Sequence, residues 1–175
     1  MTPLDFIPTL ETERLILRAP AARDHGVLAE FFASDATRYV GSARTSEQTW
    51  RYLCEVIGHW HVRGFGRWMV TLRGDDTAIG LVGLHYPMGW PDREIGWYIW
   101  NGNGQGYARE AGRAARVHAY ETLGWDTAIS MIDMGNDASV RVAEALGATR
   151  QPDFDYPGHG PVMIYRHPAA QKRVA

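Results

Sequence analysis

The stretch REIGWYIWNGNGQGYAREAGRAARVHAYETLG, residues 93–124, decides how this chain is organised. Its opening residues alternate as a strand does: Glu94, Gly96, Tyr98 and Trp100 share one face, and Ile95, Trp97 and Ile99 the other. Residues 107–123 read as a helix with an Ala/Gly face, and Gly124 supplies the stop. Between strand and helix lies NGNGQG, residues 101–106. Gly102, Gly104 and Gly106 allow a tight backbone that presents peptide N–H groups, and the helix that follows aims its positive end at the same point. Strand, glycine loop and helix in this order make a cradle for a phosphate. Arg109, in the first helical turn, adds mobile positive charge.

Working outward, TERLILR (residues 12–18) alternates Leu15 and Leu17 with polar neighbours and predicts a strand with one buried face. Asp24 is placed to cap a short helix reaching about residue 33, and residues 34–44 read as a loop. Thr45 and Gln48 have capping-box spacing. Behind them Trp50, Leu53, Cys54, Ile57 and His61 predict an amphipathic helix ending near Gly64, with Cys54 buried on its apolar stripe. Residues 67–74 and 77–86 predict a hairpin, and residues 87–92 a further turn. After the central stretch come a strand at 125–133, a helix at 136–146 stopped by Gly147, and a last strand at 161–167 before a polar tail. This order predicts an α/β chain: a mostly antiparallel first half, then one parallel crossover. No linker or repeat interrupts it, so residues 1–175 are expected to form a single domain.

Composition narrows the partners. A net charge of −2 and a pI near 6.4 give no electrostatic reason to expect nucleic acid or an anionic membrane. Cys54, the one cysteine, has no internal disulfide partner, which fits a reducing compartment. The opening MTPLDFIPTLETER lacks the apolar run of a leader, and no stretch approaches the roughly 20 apolar residues of a membrane span. A cytoplasmic location is expected. His59 and His61 stand two apart on a helix and point away from each other, so no metal pair is expected, and His118 reads as structural. The 7 Trp and 8 Tyr are expected mainly in the core, with a minority lining a substrate cleft.

Which phosphate ligand the cradle serves follows from spacing. No Lys follows the glycines, so they do not form a Walker loop. Arg109 stands where a dinucleotide fingerprint needs its third Gly, and about 100 residues precede it. The loop N-G-Q-G-Y-A, Asn103 to Ala108, instead resembles the acetyl-CoA loop of the GNAT N-acetyltransferases, written [RQ]xxGx[GA], with Asn103 in its first place, Gly106 in its fourth and Ala108 in its last. Further on, Asn136, Ser139, Glu144, Leu146 and Gly147 resemble the second signature of that superfamily, and TERLILR resembles the first strand of its ribosomal-protein N-terminal acetyltransferase branch. The likeness runs from about residue 10 to 167. Asn103 departs from the usual Arg or Gln.

The resemblance implies a central, mostly antiparallel sheet with a splayed parallel pair and flanking helices. It also implies acetyl-CoA as co-substrate, no metal, and direct transfer of the acetyl group to a primary amine in a ternary complex. Backbone at Ile99 and Trp100 would serve the pantetheine and the oxyanion. Asn103, Gly104, Gln105, Gly106, Tyr107, Ala108 and Arg109 would hold the pyrophosphate, and Asn136 and Ser139 would flank the pantetheine. Glu94 is the candidate base, directly or through water, against the reading of a solvated edge charge. His85 is a second candidate base, and Ser139 a candidate partner of the sulfur. The acceptor is left open among a protein or peptide N-terminus, an aminoglycoside, a polyamine and a small amino compound. The oligomeric state is left open, with exposed strand edges as the route by which two copies could pair in a homodimer. The competing reading is a catalytically idle acyl-CoA-binding module of the same fold.

Overall fold

The computed structural model describes residues 6–41 and 43–171. The first residues of the opening segment and the end of the polar tail, both read above from sequence, lie outside them. Eight strands form one sheet: β1 (Leu10–Glu11), β2 (Leu15–Arg18), β3 (Arg67–Leu72), β4 (Ala78–His85), β5 (Glu94–Ile99), β6 (Ile129–Asp133), β7 (Thr149–Tyr156) and β8 (Gly160–Arg166), in the spatial order β1-β2-β3-β4-β5-β6-β8-β7. Every neighbouring pair is antiparallel except β5 and β6. This is the mixed, mostly antiparallel α/β sheet expected from the order of elements.

Helices cover both faces. On one lie α1 (His25–Phe32) and α2 (Ser46–Arg63), whose Leu28, Phe31, Phe32, Tyr52, Leu53 and Val56 pack on Met69 and Leu81. On the other lies α3 (Tyr107–Glu121), whose Ala111, Ala115 and Ala119 meet Val70, Val82, Leu84 and Ile95. Small residues let α3 sit close to the sheet. A Cβ at Gly112 would already stand 3.2 Å from Leu146 Cδ1. The fourth helix, α4 (Asp137–Ala145), covers the far end through Val140 and Ala143.

Three local expectations are corrected. The period of α2 is as read and its Thr45–Gln48 capping box and Gly64 stop are present, but the buried stripe is Thr49, Tyr52, Leu53, Val56 and Trp60. That face is rotated from the expected one because Tyr52 and Trp60 outweigh Trp50, which is 46% exposed. Cys54 is therefore exposed rather than buried. Asp24 precedes α1 but makes no side-chain cap; its carboxylate takes both Nη atoms of Arg18, at 2.9 and 2.6 Å, tying the helix to β2. Two strands were not foreseen: the two-residue β1, and β7, whose TRQPDFDY carries Pro152 within a register shift of an edge strand, where no ladder hydrogen bond is required of it.

Candidate active site

The parallel pair is held at one register position, Glu94 opposite Ile129. Ile129 N–H donates to Arg93 C=O at 2.8 Å, and Ser130 Oγ donates to Ile95 C=O at 2.6 Å. Beyond that point the strands part. The N–H of Trp100 donates to Ile79 C=O at 3.0 Å and so points toward β4. Alternation along an extended strand then turns the N–H groups of Trp97 and Ile99 the other way, into the gap. Ile99 thus fits a backbone role at the splay, whereas Trp100 does not. Its N–H is already engaged, its indole N–H donates to Ala78 C=O, and its ring packs on Phe31.

A cleft of about 440 Å³ opens where the strands part, lined among others by Glu94, Gly96, Tyr98, His85, Asn136 and Ser139. Residues read from separate stretches of sequence are thus brought to one place. Asn136 caps α4, its Oδ1 accepting from Ser139 N–H at 3.1 Å. Ser139 Oγ accepts the indole N–H of Trp97 at 3.3 Å, which leaves its own hydroxyl proton free to be donated elsewhere.

Glu94 is 5% exposed, so it is not a solvated edge charge. Its Oε2 accepts from Trp90 Nε1 at 2.8 Å, and its Oε1 from Met131 N–H at 3.4 Å across the parallel seam. Arg67 Nη2 lies 3.8 Å from Oε2. Burial pushes the Glu94 carboxyl above its ordinary value, while Arg67, Trp90 and Met131 pull it back. Arg67, on β3, is itself buried; its Nη1 donates to the hydroxyls of Tyr52 and Tyr98 at 2.9 and 3.3 Å. Arg67, Gly83 and Gly96 stand in one row across β3, β4 and β5. A Cβ at Gly83 would fall 2.6 Å from Gly66 O and 2.8 Å from Arg67 Cα, and one at Gly96 3.5 Å from Arg67 Nη2. Gly83 admits the β3 backbone at Gly66 and Arg67, and Gly96 leaves the space in which the guanidinium lies beside Glu94.

His85 stacks on His59 at 5.1 Å and meets Trp90 edge-on at 5.0 Å. Burial pushes its imidazole down to about 2, which keeps it neutral in the cleft. His59 is fixed as a neutral tautomer, Nδ1 donating to Phe65 C=O and Nε2 accepting from Tyr86 N–H. The rim includes Tyr156, 5.1 Å from the Trp90 ring, and His159, whose Nε2 is 2.9 Å from Asp133 Oδ1. Sequence reading missed Arg67, Tyr52, Trp90 and this rim. The available signal was glycine inside strand patterns, at Gly83 and Gly96, which marks close approach by a neighbour.

At the other end of β5, Gly102, Gly104 and Gly106 have φ of +82°, +82° and +80°. A Cβ at Gly102 would meet the Tyr107 ring at 2.6 Å. Gly106 is the N-cap of α3 and has no side chain to cover the first-turn amides, which is the backbone arrangement an anion needs. Asn103, Gly104, Gln105 and Arg109 are exposed, and Tyr107 and Ala108 half-buried. Arg14, unnoticed in the sequence, braces the loop: it donates to Gln105 C=O at 3.0 Å and pairs with Glu110 at 2.6 Å. Among the described residues no group of three or more His, Cys, Asp or Glu side chains is placed to hold a metal, and no helix is long and apolar enough to cross a membrane.

A strand that leads from a buried carboxylate, past a gap in a parallel pair, to a glycine-capped helix is an arrangement suited to acyl transfer from a phosphate-bearing carrier. The model of the acetyltransferase (GNAT) domain family matches residues 14–149, and the chain belongs to that family. The crystal structure of an acetyltransferase from Agrobacterium tumefaciens is 36% identical, covers 93% of this chain and 95% of its own, and superposes with a TM-score of 0.85. The ribosomal L7/L12 α-N-protein acetyltransferase RimL, solved in complex with coenzyme A, shares the fold at 17% identity, 91% and 97% coverage and a TM-score of 0.74. An uncharacterised Bacillus subtilis protein, YkkB, is 28% identical over 149 residues, 79% of this chain and 83% of its own.

Proposed function

We propose that this chain transfers the acetyl group of acetyl-CoA directly to a primary amine, of a protein or peptide N-terminus or a small molecule, in a ternary complex. The observation that carries the reading is the buried Glu94 carboxylate in a cleft that Ser139 also lines. The residues at the glycine loop fit the pyrophosphate of the co-substrate through the amides of the first α3 turn, with Arg109 as a nearby cation. From Glu94 to Ile99 is five steps of strand, about 17 Å, along which the pantetheine pairs with the open edge of β5.

Each proton has an assigned place. The acceptor enters as an ammonium; one N–H bond breaks and the proton passes to Glu94, directly or through a water. The freed lone pair attacks the thioester carbonyl carbon, and the Trp97 or Ile99 N–H facing the gap donates to the developing oxyanion. The C–S bond breaks as the nitrogen gives up its second proton, and the Ser139 hydroxyl, oriented by the Trp97 indole, passes a proton to the leaving sulfur and takes that one in its place.

Thermal denaturation with added nucleotides tests the binding half. Acetyl-CoA at ~100-fold its Kd should stabilise the fold by about 2.7 kcal/mol, whereas NAD and ATP should leave it unchanged. No stabilisation at millimolar acetyl-CoA ends the proposal. Thiol release with a panel of peptides, aminoglycosides, polyamines and small amines tests the chemical half. Binding without turnover of any amine marks the chain as an idle acyl-CoA-binding module.

A further inference from the structure

We infer that Arg67 is a positioning residue for the transfer reaction, its guanidinium laid beside Gly96 to hold the Glu94 carboxyl charged and aimed as proton acceptor. The inference rests on the reading of Glu94 as the base.

The guanidinium is poorly placed as a stabilising device. Arg67 Nε is buried without a hydrogen-bond partner among the described residues, and at 3.8 Å Nη2 is outside hydrogen-bond reach of Glu94. A buried donor left unpaired costs stability, and a buried ion pair without close, fully bonded geometry does not recover its desolvation. The sequence also gives up a side chain to admit it. Gly96 interrupts β5 where the guanidinium lies, forgoing the packing and backbone restraint of a larger residue. These concessions converge on the guanidinium, whose Nη1 is held by the Tyr52 and Tyr98 hydroxyls while Nη2 faces Glu94.

The surroundings of Glu94 give that contact its purpose. Trp90 Nε1 and Met131 N–H are neutral donors. From β4 the cleft receives His85, held neutral; from β5, Tyr98; from α2, Tyr52, whose hydroxyl burial pushes up, and Glu55; from β6, Asp133, with its partner His159 from the β7–β8 turn. Arg44 lines the same cleft but lies over the Tyr52 ring, 4.2 Å from its centroid. Among the described residues Arg67 is the cation within ion-pair distance of Glu94. Burial favours the protonated acid and Arg67 the carboxylate, and a base balanced between them accepts a proton from an ammonium and later releases it.

The test needs no acceptor. In protein labelled with 13C at glutamate carboxyls, the Glu94 resonance, assigned by its loss in Glu94→Gln, is titrated by NMR in wild type, Arg67→Met, Arg67→Lys and Gly96→Ala. Arg67→Met should raise the midpoint by at least ~1 pH unit, and Arg67→Lys, which keeps the charge, by less. Gly96→Ala places a methyl 3.3 Å from Glu94 Oε1 and 3.5 Å from Arg67 Nη2 and should fall between. Should Arg67→Met not fold, the other two variants still decide. With an amine accepted in the thiol assay, the acid limb of kcat/KM should move with the midpoint while coenzyme affinity stays put. A midpoint unmoved in the folded variants overturns the inference and leaves the base reading intact. A Glu94→Gln enzyme as active as wild type removes the base reading, and the role of Arg67 with it.

Discussion

At residues 101–106, the proposed coenzyme site, the chain presents backbone: left-handed glycines and a bare helix end, on the surface, fixed by six consecutive residues. Around Glu94 it offers side chains instead, drawn from β3, the β4–β5 turn, β5 and α2 and packed out of water. A backbone site depends on φ and on the absence of Cβ, so it is written locally. A side-chain cluster depends on which strands lie side by side and in what register. It is written across positions 52, 67, 83, 90, 94 and 96 together, and a substitution at any of them reaches the others.

The comparison breaks most sharply at Glu94. Glu94→Gln should keep the fold and coenzyme affinity but lower kcat/KM by roughly 10²–10⁴-fold at neutral pH. The loss should shrink as pH rises and more amine arrives neutral. Parallel pH–rate profiles within a factor of two rule out a base role. Gly106→Val attacks the other region. A β-branched residue is strained at φ +80° and its side chain stands where the anion approaches, so calorimetry should show coenzyme affinity reduced by about 10²-fold, ~2.7 kcal/mol. The pH dependence of any remaining turnover should be unchanged; a shifted profile means the two regions are coupled.

A smaller effect sharpens the seam between them. His167, 2% exposed, lies 3.0 Å from the hydroxyl of Ser130, which in turn bonds Ile95 C=O. Burial lowers its imidazole from 6.5 to about 3, so the unfolded chain takes up a proton that the folded chain refuses. Stability from this group is complete above about pH 6.5 and is lost as pH falls toward 3. His167→Gln should flatten the denaturation midpoint against pH across that window; an unaltered slope assigns the acid sensitivity elsewhere. The smallest effect is at Asn136. Removing its cap by Asn136→Ala should cost about 1 kcal/mol in urea denaturation, with kcat/KM falling less than in Glu94→Gln.

How much could be read in advance follows the same division. The glycine loop, the Asn136 cap with Ser139, the hairpin of β3 and β4 and the strand faces of β5 stand in the structure as the sequence predicts, because each is set by residues a few positions apart. Arg67 was invisible: nothing near it in sequence distinguishes it from a strand-end surface arginine, and only the β3–β4–β5 register aligns it with Gly83 and Gly96. The wrong face of α2 has a related cause, since one turn of a helix offers two apolar stripes and the sheet selects between them. β7 escaped because Pro152 and its polar neighbours read as loop, although an edge strand accepts both.

The single register pair between β5 and β6 divides the sheet into two plates, β1 to β5 and β6 to β8, joined as scissor blades are at a pivot. Any rocking of one plate against the other changes the width of the gap in proportion to distance from that pivot. Glu94 is the pivot residue, and its carboxylate also takes an N–H from the far plate, at Met131. The carboxylate is thereby anchored at the joint, bonded to Trp90 on its own plate and to Met131 on the other, while the gap that the ligand must use lies farther along the strands.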